Sequence, residues 1–306
     1  MLVTVFGSFV VDLMARTPHL PVAGETVKSS FFLMGPGGKG FNQAIAARRA
    51  GCDVAVVTKL GQDSFAEIAL DKLRTEGMSD EWVIRTDQAP TGNALIIVDE
   101  TTSQNEIVVS LGACDTFSAE DTRKLAPLIA KSGLLLTQLE TNVSAVEQVV
   151  AMAKECGVKV VLNPAPVQPI SDELYKKIDV LTPNEVEASI LTGVQVKDAE
   201  DASKAAAIFM SRGVKNVVVT LGSQGVFATD GSRSEIFKNY EVPVVDSTGA
   251  GDAFSGGLVT ALAEGKSLFE ACAFGNAVAN LSVTKLGTSV SMPSRKEIDL
   301  FIKENE

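Results

Sequence analysis

The apolar positions of this chain repeat at two spacings, and the spacing changes many times. Short β-branched runs read as strands, and longer stretches with apolar residues every third or fourth position read as helices. Leu2 to Phe6 predicts a first strand that ends at Gly7 and Ser8. The extended pattern resumes over Val10 to Met14 with one acid, Asp12, at its centre, and Gly24 to Met34 also reads as strand. The glycine-rich loop GPGGKG then opens a helix pattern, FNQAIAARRAG, followed by a strand over Val54 to Thr58 and a helix over Ala66 to Glu76. Asn93 to Val98 and Glu106 to Leu111 alternate in polarity about the polar loop Asp99 to Asn105, which predicts a hairpin.

From Gly133 the order is steady: strand LLLTQLE, helix Val143 to Cys156, strand VKVVLNPAP, a short helix near Asp172 to Lys176, strand DVLTPNE, helices at 185–192 and 200–212, strands VVVTLG and GVFAT, and terminal helices. Repeated strand–helix units predict an α/β fold, a doubly wound, mostly parallel sheet with helices on both faces. The strands at 10–17 and 26–34 and the hairpin interrupt that order. We read them as a small β-sheet lid, formed by about 10–34 and 90–111 and inserted into a single domain spanning 1–306. Open edges on such a lid favour pairing with a second copy, a homodimer.

One stretch organises the rest. In Val244 to Gly257, VVDSTGAGDAFSGG, a β-branched run stops, glycines follow and an apolar helix begins, so the pattern predicts strand, tight turn and helix start. Gly249 and Gly251, with Ala250 between them, let the backbone turn several N–H groups toward an anion, and the helix dipole adds to that attraction. Asp252 follows directly, where a carboxylate could take a proton from a hydroxyl lying beside a phosphate. The plainer reading is that Asp252 favours a helix start and the glycines make a turn. Other polar residues fall at the carboxyl ends of predicted strands, where ligands bind in open α/β sheets. They are Glu140, Asn163, Asn184 with Glu187, Thr220 to Gly225, and Asp246 to Asp252.

Composition narrows the chemistry. With 306 residues, 45% of them hydrophobic, the chain can bury a large core. A formal charge of −11 with no basic block disfavours nucleic acid or an anionic membrane as partner. Four scattered cysteines and one histidine, His19, argue against a disulfide framework or a zinc site and fit a reducing cytoplasm. The N-terminus lacks a basic leader, and no run approaches the roughly 18 apolar residues of a membrane span. Gly35, Gly37 and Gly40 satisfy GxGxxG, but Val54 to Thr58 is followed by Lys59 where a dinucleotide site expects an acid. The phosphate-loop pattern GxxxxGK[ST] is absent.

Taken in order, GGKGFNQAIAARRAG, NPAP, TPNEVEA, TLGSQGV and DSTGAGDAFSGG resemble the PfkB, or ribokinase, family of carbohydrate kinases over nearly the whole chain. The resemblance implies transfer of the γ-phosphoryl group of ATP to the terminal hydroxyl of a pentose, D-ribose above all. It makes Asp252 the base and the backbone from Thr248 through Gly249, Ala250 and Gly251 the anion hole. Asp12, Gly38, Lys39, Asn42 and Glu140 match sugar-contacting positions, and Asn184, Thr220, Gly222, Gly225, Gly251 and Asn276 match nucleotide positions. Glu187 matches an acid that influences magnesium and phosphate. Asp246, Thr248, Ser282, Lys285, Gly287 and Ser291 match a monovalent-cation site, usually potassium, filled largely by main-chain oxygens. One departure bears on the sugar. Bacterial ribokinases often carry Asn two residues before the first-strand aspartate, and this chain has Val10, which opens deoxyribose, another pentose or a ketose as substrate. A regulatory protein that binds sugar without catalysis would have a damaged base or anion hole, and both are intact here.

Overall fold

The computed structural model describes residues 1–102 and 104–305. Its strands run in chain order β1 (Leu2–Phe6), β2 (Val10–Thr17), β3 (Phe31–Gly37), β4 (Asp53–Leu60), β5 (Val83–Arg85), β6 (Thr91–Asp99), β7 (Asn105–Gly112), β8 (Leu134–Thr137), β9 (Lys159–Leu162), β10 (Val180–Leu181), β11 (Asn216–Thr220), β12 (Val226–Thr229) and β13 (Ser234–Phe237). Among the described residues the larger sheet has the order β13-β12-β11-β10-β9-β8-β1-β4-β5. It is parallel from β5 to β11, and β12 and β13 close one edge antiparallel.

The central strands are apolar on both faces, as a sheet covered on both sides requires. Val3 and Val5 point into one core cluster and Phe6 into the other, all fully buried. One face is covered by the helices Lys39–Arg49, Ser64–Thr75, Ala250–Ala263 and Leu268–Ser282, the other by Val143–Glu155 and Ala199–Ser211. The helices Lys39–Arg49 and Ala250–Ala263 nearly touch, because a Cβ at Gly256 would lie 2.4 Å from that of Ala46. That closeness brings the side chains of the first helix to the start of the second.

The second sheet, β3-β2-β6-β7, stands apart as expected of a lid. Strand β2 pairs antiparallel with β3 and parallel with β6, and β6 and β7 form the expected hairpin. One face of this sheet leaves Phe32, Met34, Leu95 and Val108 exposed, and the opposite face, which carries Asp12, leaves Phe31, Leu33, Ile107 and Val109 exposed.

Four details differ from the sequence reading. Gly24 to Ser30 forms no ladder: Gly24 sits at φ +87° and Glu25 folds back onto Val22, so the strand starts only at Phe31. The run Val244 to Asp246 is not a strand either. The N–H groups of Val245 and Asp246 both donate to Val283 O at the end of the helix Leu268–Ser282, and Val244 and Val245 are mostly exposed. The edge position went instead to β13, whose mixed sequence SEIF hid it. Strand β5 and the short helical turns between Ala113 and Ile129 also escaped the periodicity, being too short to establish a period. No helix among the described residues is long and apolar enough to cross a membrane.

Candidate active site

Asp252 lies at the centre of the site. Gly249, at φ +79°, takes the left-handed turn that a side chain would resist, and the helix Ala250–Ala263 starts immediately after it with no side chain capping its N–H groups. The first-turn N–H groups of a helix lack partners within it, so those of Gly251 and Asp252 are available to an anion. Asp252 is 7% exposed. Its Oδ2 accepts from Asn42 Nδ2 at 3.2 Å and its Oδ1 from Gln43 Nε2 at 2.9 Å. Burial pushes its pKa up, against the pull of Lys39 and the two amides. A carboxylate in that state holds a proton more readily than an ordinary aspartate, as a general base requires.

Two cavities meet at this helix start. The larger, about 580 Å³, is lined by Asn184, Thr220, Gly222, Gly225, Gly251 and Asn276, among others. These are the residues the resemblance gave to the nucleotide. A smaller, more polar one of about 180 Å³ is lined by Lys39, Asn163, Glu187, Gly249 and Asp252. Asn184, Thr220, Ser247, Ala250, Gly251 and Phe254 line both, so the two are one continuous cleft. Asn184 and Glu187 hold each other in a capping box, Glu187 N donating to Asn184 Oδ1 at 2.8 Å and Asn184 N to Glu187 Oε2 at 2.9 Å. Burial raises the pKa of Glu187 despite that hydrogen bond and the nearby Lys39. At the far side Asn276 Nδ2 donates to Lys238 O at 2.8 Å, and Asn280 and Asn239, which the sequence reading did not single out, extend the polar lining toward Gly222 O.

Beyond Asp252, toward the lid, the residues expected to meet a sugar converge. Lys39 N, just after Gly38, and Ser8 Oγ both donate to Glu140 Oε2, the former at 2.8 Å. The carboxyl of Asp12 folds over Gly37, where a Cβ would come within 2.3 Å of it. Burial, Glu140 and Asp252 push the Asp12 pKa up to about 7, while a hydrogen bond from Thr288 opposes them. Burial would lower the pKa of Lys39, but Asp252, Glu140 and Glu187 raise it, so the ammonium stays charged amid carboxylates. Asn42 Oδ1 is buried without a hydrogen-bond partner in the protein, an acceptor that a sugar hydroxyl would satisfy. Val10 is 2% exposed, and β2 places it on the same face as Asp12, against Gly37 and Gly92.

The loop expected to bind a monovalent cation packs against the anion hole. Asp246 accepts from Thr248 N at 2.9 Å and Gly287 N at 3.0 Å, which hold its pKa down although burial opposes them. A Cβ at Gly249 would lie 3.4 Å from Thr288 Cα, so this loop abuts the N-terminus of the helix. Ser282 Oγ donates to Ala279 O and Ser291 Oγ to Thr288 O, and Lys285 Nζ pairs with Glu297 at 2.8 Å. These side chains are engaged locally, which leaves main-chain oxygens as the donors a cation would use.

A buried carboxylate beside an uncapped helix N-terminus, with a continuous cleft on one side and a cluster of polar side chains next to the lid on the other, could bring a hydroxyl to a phosphate. The family comparison agrees: the pfkB family carbohydrate kinase model matches residues 1–295, and the chain belongs to that family. Among its relatives, the ribokinase of Haemophilus influenzae is 44% identical over 300 residues and spans 98% of each chain. The deoxyribokinase of Salmonella typhi is 34% identical over 305 residues and spans 99% of each. The structure of Arabidopsis thaliana ribokinase complexed with ribose and ATP superposes with a TM-score of 0.90 at 33% identity, covering 99% of this chain and 98% of that one.

Proposed function

We propose that this carbohydrate kinase transfers the γ-phosphoryl group of ATP to the terminal hydroxyl of a pentose, D-ribose first and 2-deoxyribose second. The observation that carries the reading is the position of Asp252, 7% exposed in the smaller cavity and one residue beyond Gly251, which lines both. ATP fits the larger cavity with its terminal phosphate toward the uncapped N–H groups, and the sugar fits between Asp252 and the lid. Asp252 takes the proton of the attacking hydroxyl, and the helix start and Lys39 offset the charge that builds on the phosphoryl oxygens. Lid closure keeps water from that group.

Magnesium would be held mainly by phosphate oxygens and reached by Glu187, which lines the smaller cavity. Magnesium would neutralise phosphate charge there. A potassium ion would be held by main-chain oxygens of the loop around Asp246 and Gly287, where it would order the backbone that abuts Gly249. We further infer a single kinase domain with its lid inserted, a homodimer that covers the exposed lid face, and residence in the cytoplasm, in keeping with four unpaired cysteines. A coupled ADP-release assay over ribose, 2-deoxyribose, fructose and hexoses, in potassium and in tetramethylammonium buffer, tests the reading. Release that depends on a pentose and rises with potassium is expected. Release indifferent to every sugar would overturn the assignment, and equal rates in the two buffers would remove the cation site.

A further inference from the structure

We infer that Gln43, which no motif above assigned to the site, is the residue that orients the catalytic carboxylate, through a chain of buried amides anchored on the main sheet. This rests on the reading of Asp252 as the base. Gln43 is fully buried and Gln138 is 1% exposed, yet neither packs as an ordinary core residue, since their polar ends meet. The chain starts at the carbonyl of Thr182, just after β10, which can only accept. Asn163 Nδ2 donates to it at 2.8 Å, so Asn163 Oδ1 faces the other way and accepts from Gln43 Nε2 at 3.0 Å. The same Nε2 donates to Asp252 Oδ1 at 2.9 Å, and Gln138 Nε2 donates to Gln43 Oε1 at 2.6 Å. Every amide orientation in the chain is thus fixed by its neighbour, and a flip of Gln43 would break all three of its bonds.

The consequence falls on Asp252. Its Oδ1 is tied to the relay, whereas Oδ2 has only the longer 3.2 Å bond from Asn42 and is the oxygen left to take a proton from the sugar. Gln43 touches the carboxylate but does not line either cavity, so it acts through Asp252 and not on the substrates. The charged groups around Asp252 are Lys39 from the same helix as Gln43, Glu140 after β8, Asp12 on the lid and Glu187.

Gln43→Met keeps the volume and deletes all three bonds. A hydrogen bond to a charged group corresponds to about ten- to a hundredfold, so kcat should fall by that factor while KM for ATP and pentose stays within about threefold. Because a donor to a carboxylate lowers its pKa, the acid limb of the kcat–pH profile should also move to higher pH. Gln43→Glu, which keeps the length and the bond from Gln138 but turns an acceptor toward Asp252, should move the limb further and serves if the Met variant fails to fold. Wild-type kcat with an unmoved limb in the folded variant would overturn the inference, as would a loss seen only in KM or melting temperature. A wild-type protein that phosphorylates no sugar would bring down the kinase reading and this inference together, whereas an active wild type with indifferent variants would bring down this inference alone.

Discussion

Removing the charge of Asp12 should stabilise the protein at alkaline pH and leave it unchanged in acid. Burial, Glu140 and Asp252 raise the pKa of Asp12 to about 7 from the ordinary 3.8. The folded protein therefore binds a proton here more tightly than the unfolded chain does, and stability falls as pH rises from about 4 through 7. A displacement of about 3 units corresponds to about 4 kcal/mol at pH 8. Part of that displacement is repulsion from Glu140 and Asp252, so Asp12→Asn should recover about 2–4 kcal/mol. For 306 residues, an unfolding entropy of about 2.1 cal/mol/K per residue converts this to a rise in Tm of about 3–6 °C at pH 8. Below about pH 4 the two proteins should melt together. Thermal melts of both proteins at half-unit steps from pH 4 to 8 read the difference directly. A Tm difference that does not change with pH, or a wild type that is the more stable at pH 8, would refute the reasoning. The strain has a use: a sugar hydroxyl donating to Asp12 favours its charged form, so the same variant should lose affinity for sugar while it gains stability.

Two further outcomes follow from the lid. Val10→Asn places an amide beside Asp12 where there is now an apolar wall, so kcat/KM for ribose relative to 2-deoxyribose and fructose should rise several-fold, in line with one hydrogen bond of about 0.5–1.5 kcal/mol; an unchanged ranking of the three sugars sinks the idea that Val10 sets sugar preference. Phe32→Asp, at a residue 61% exposed on the lid, should convert a dimer into monomer by light scattering, and a variant of unchanged mass would place the interface elsewhere.

Much of this site could be read from the sequence because its parts sit where regular elements begin and end. The parallel core followed from repeated strand–helix units, and Glu140, Asn163, Asn184 and Thr220 came to the same end of the sheet because they end or follow β8, β9, β10 and β11. Where the reading failed, local pattern and tertiary position disagreed. Val244 and Val245 look like a strand, but β13 already closes that edge, so they run as an exposed loop onto Val283 O. Gln43 was hidden for a different reason. A polar residue on the helix Lys39–Arg49 reads as a surface position until Gly256 lets the neighbouring helix approach and Asp252 comes within 2.9 Å. The signal that could have found it is that Asn42 and Gln43 are adjacent amides in a stretch otherwise made of small and apolar residues, FNQAIAA. Which lid residues are exposed was not legible either, because the alternation of β6 and β7 does not say which side meets solvent.

Steady-state kinetics and a thermal melt of Asp252→Asn test the central claim most directly. The substitution keeps the size of the side chain and removes a buried charge whose pKa is raised, so the fold should survive. With the base gone, pentose-dependent kcat should drop about 10²- to 10⁴-fold, while ATP affinity changes little because the anion hole is backbone. A folded Asp252→Asn protein that turns over at the wild-type rate would contradict the account.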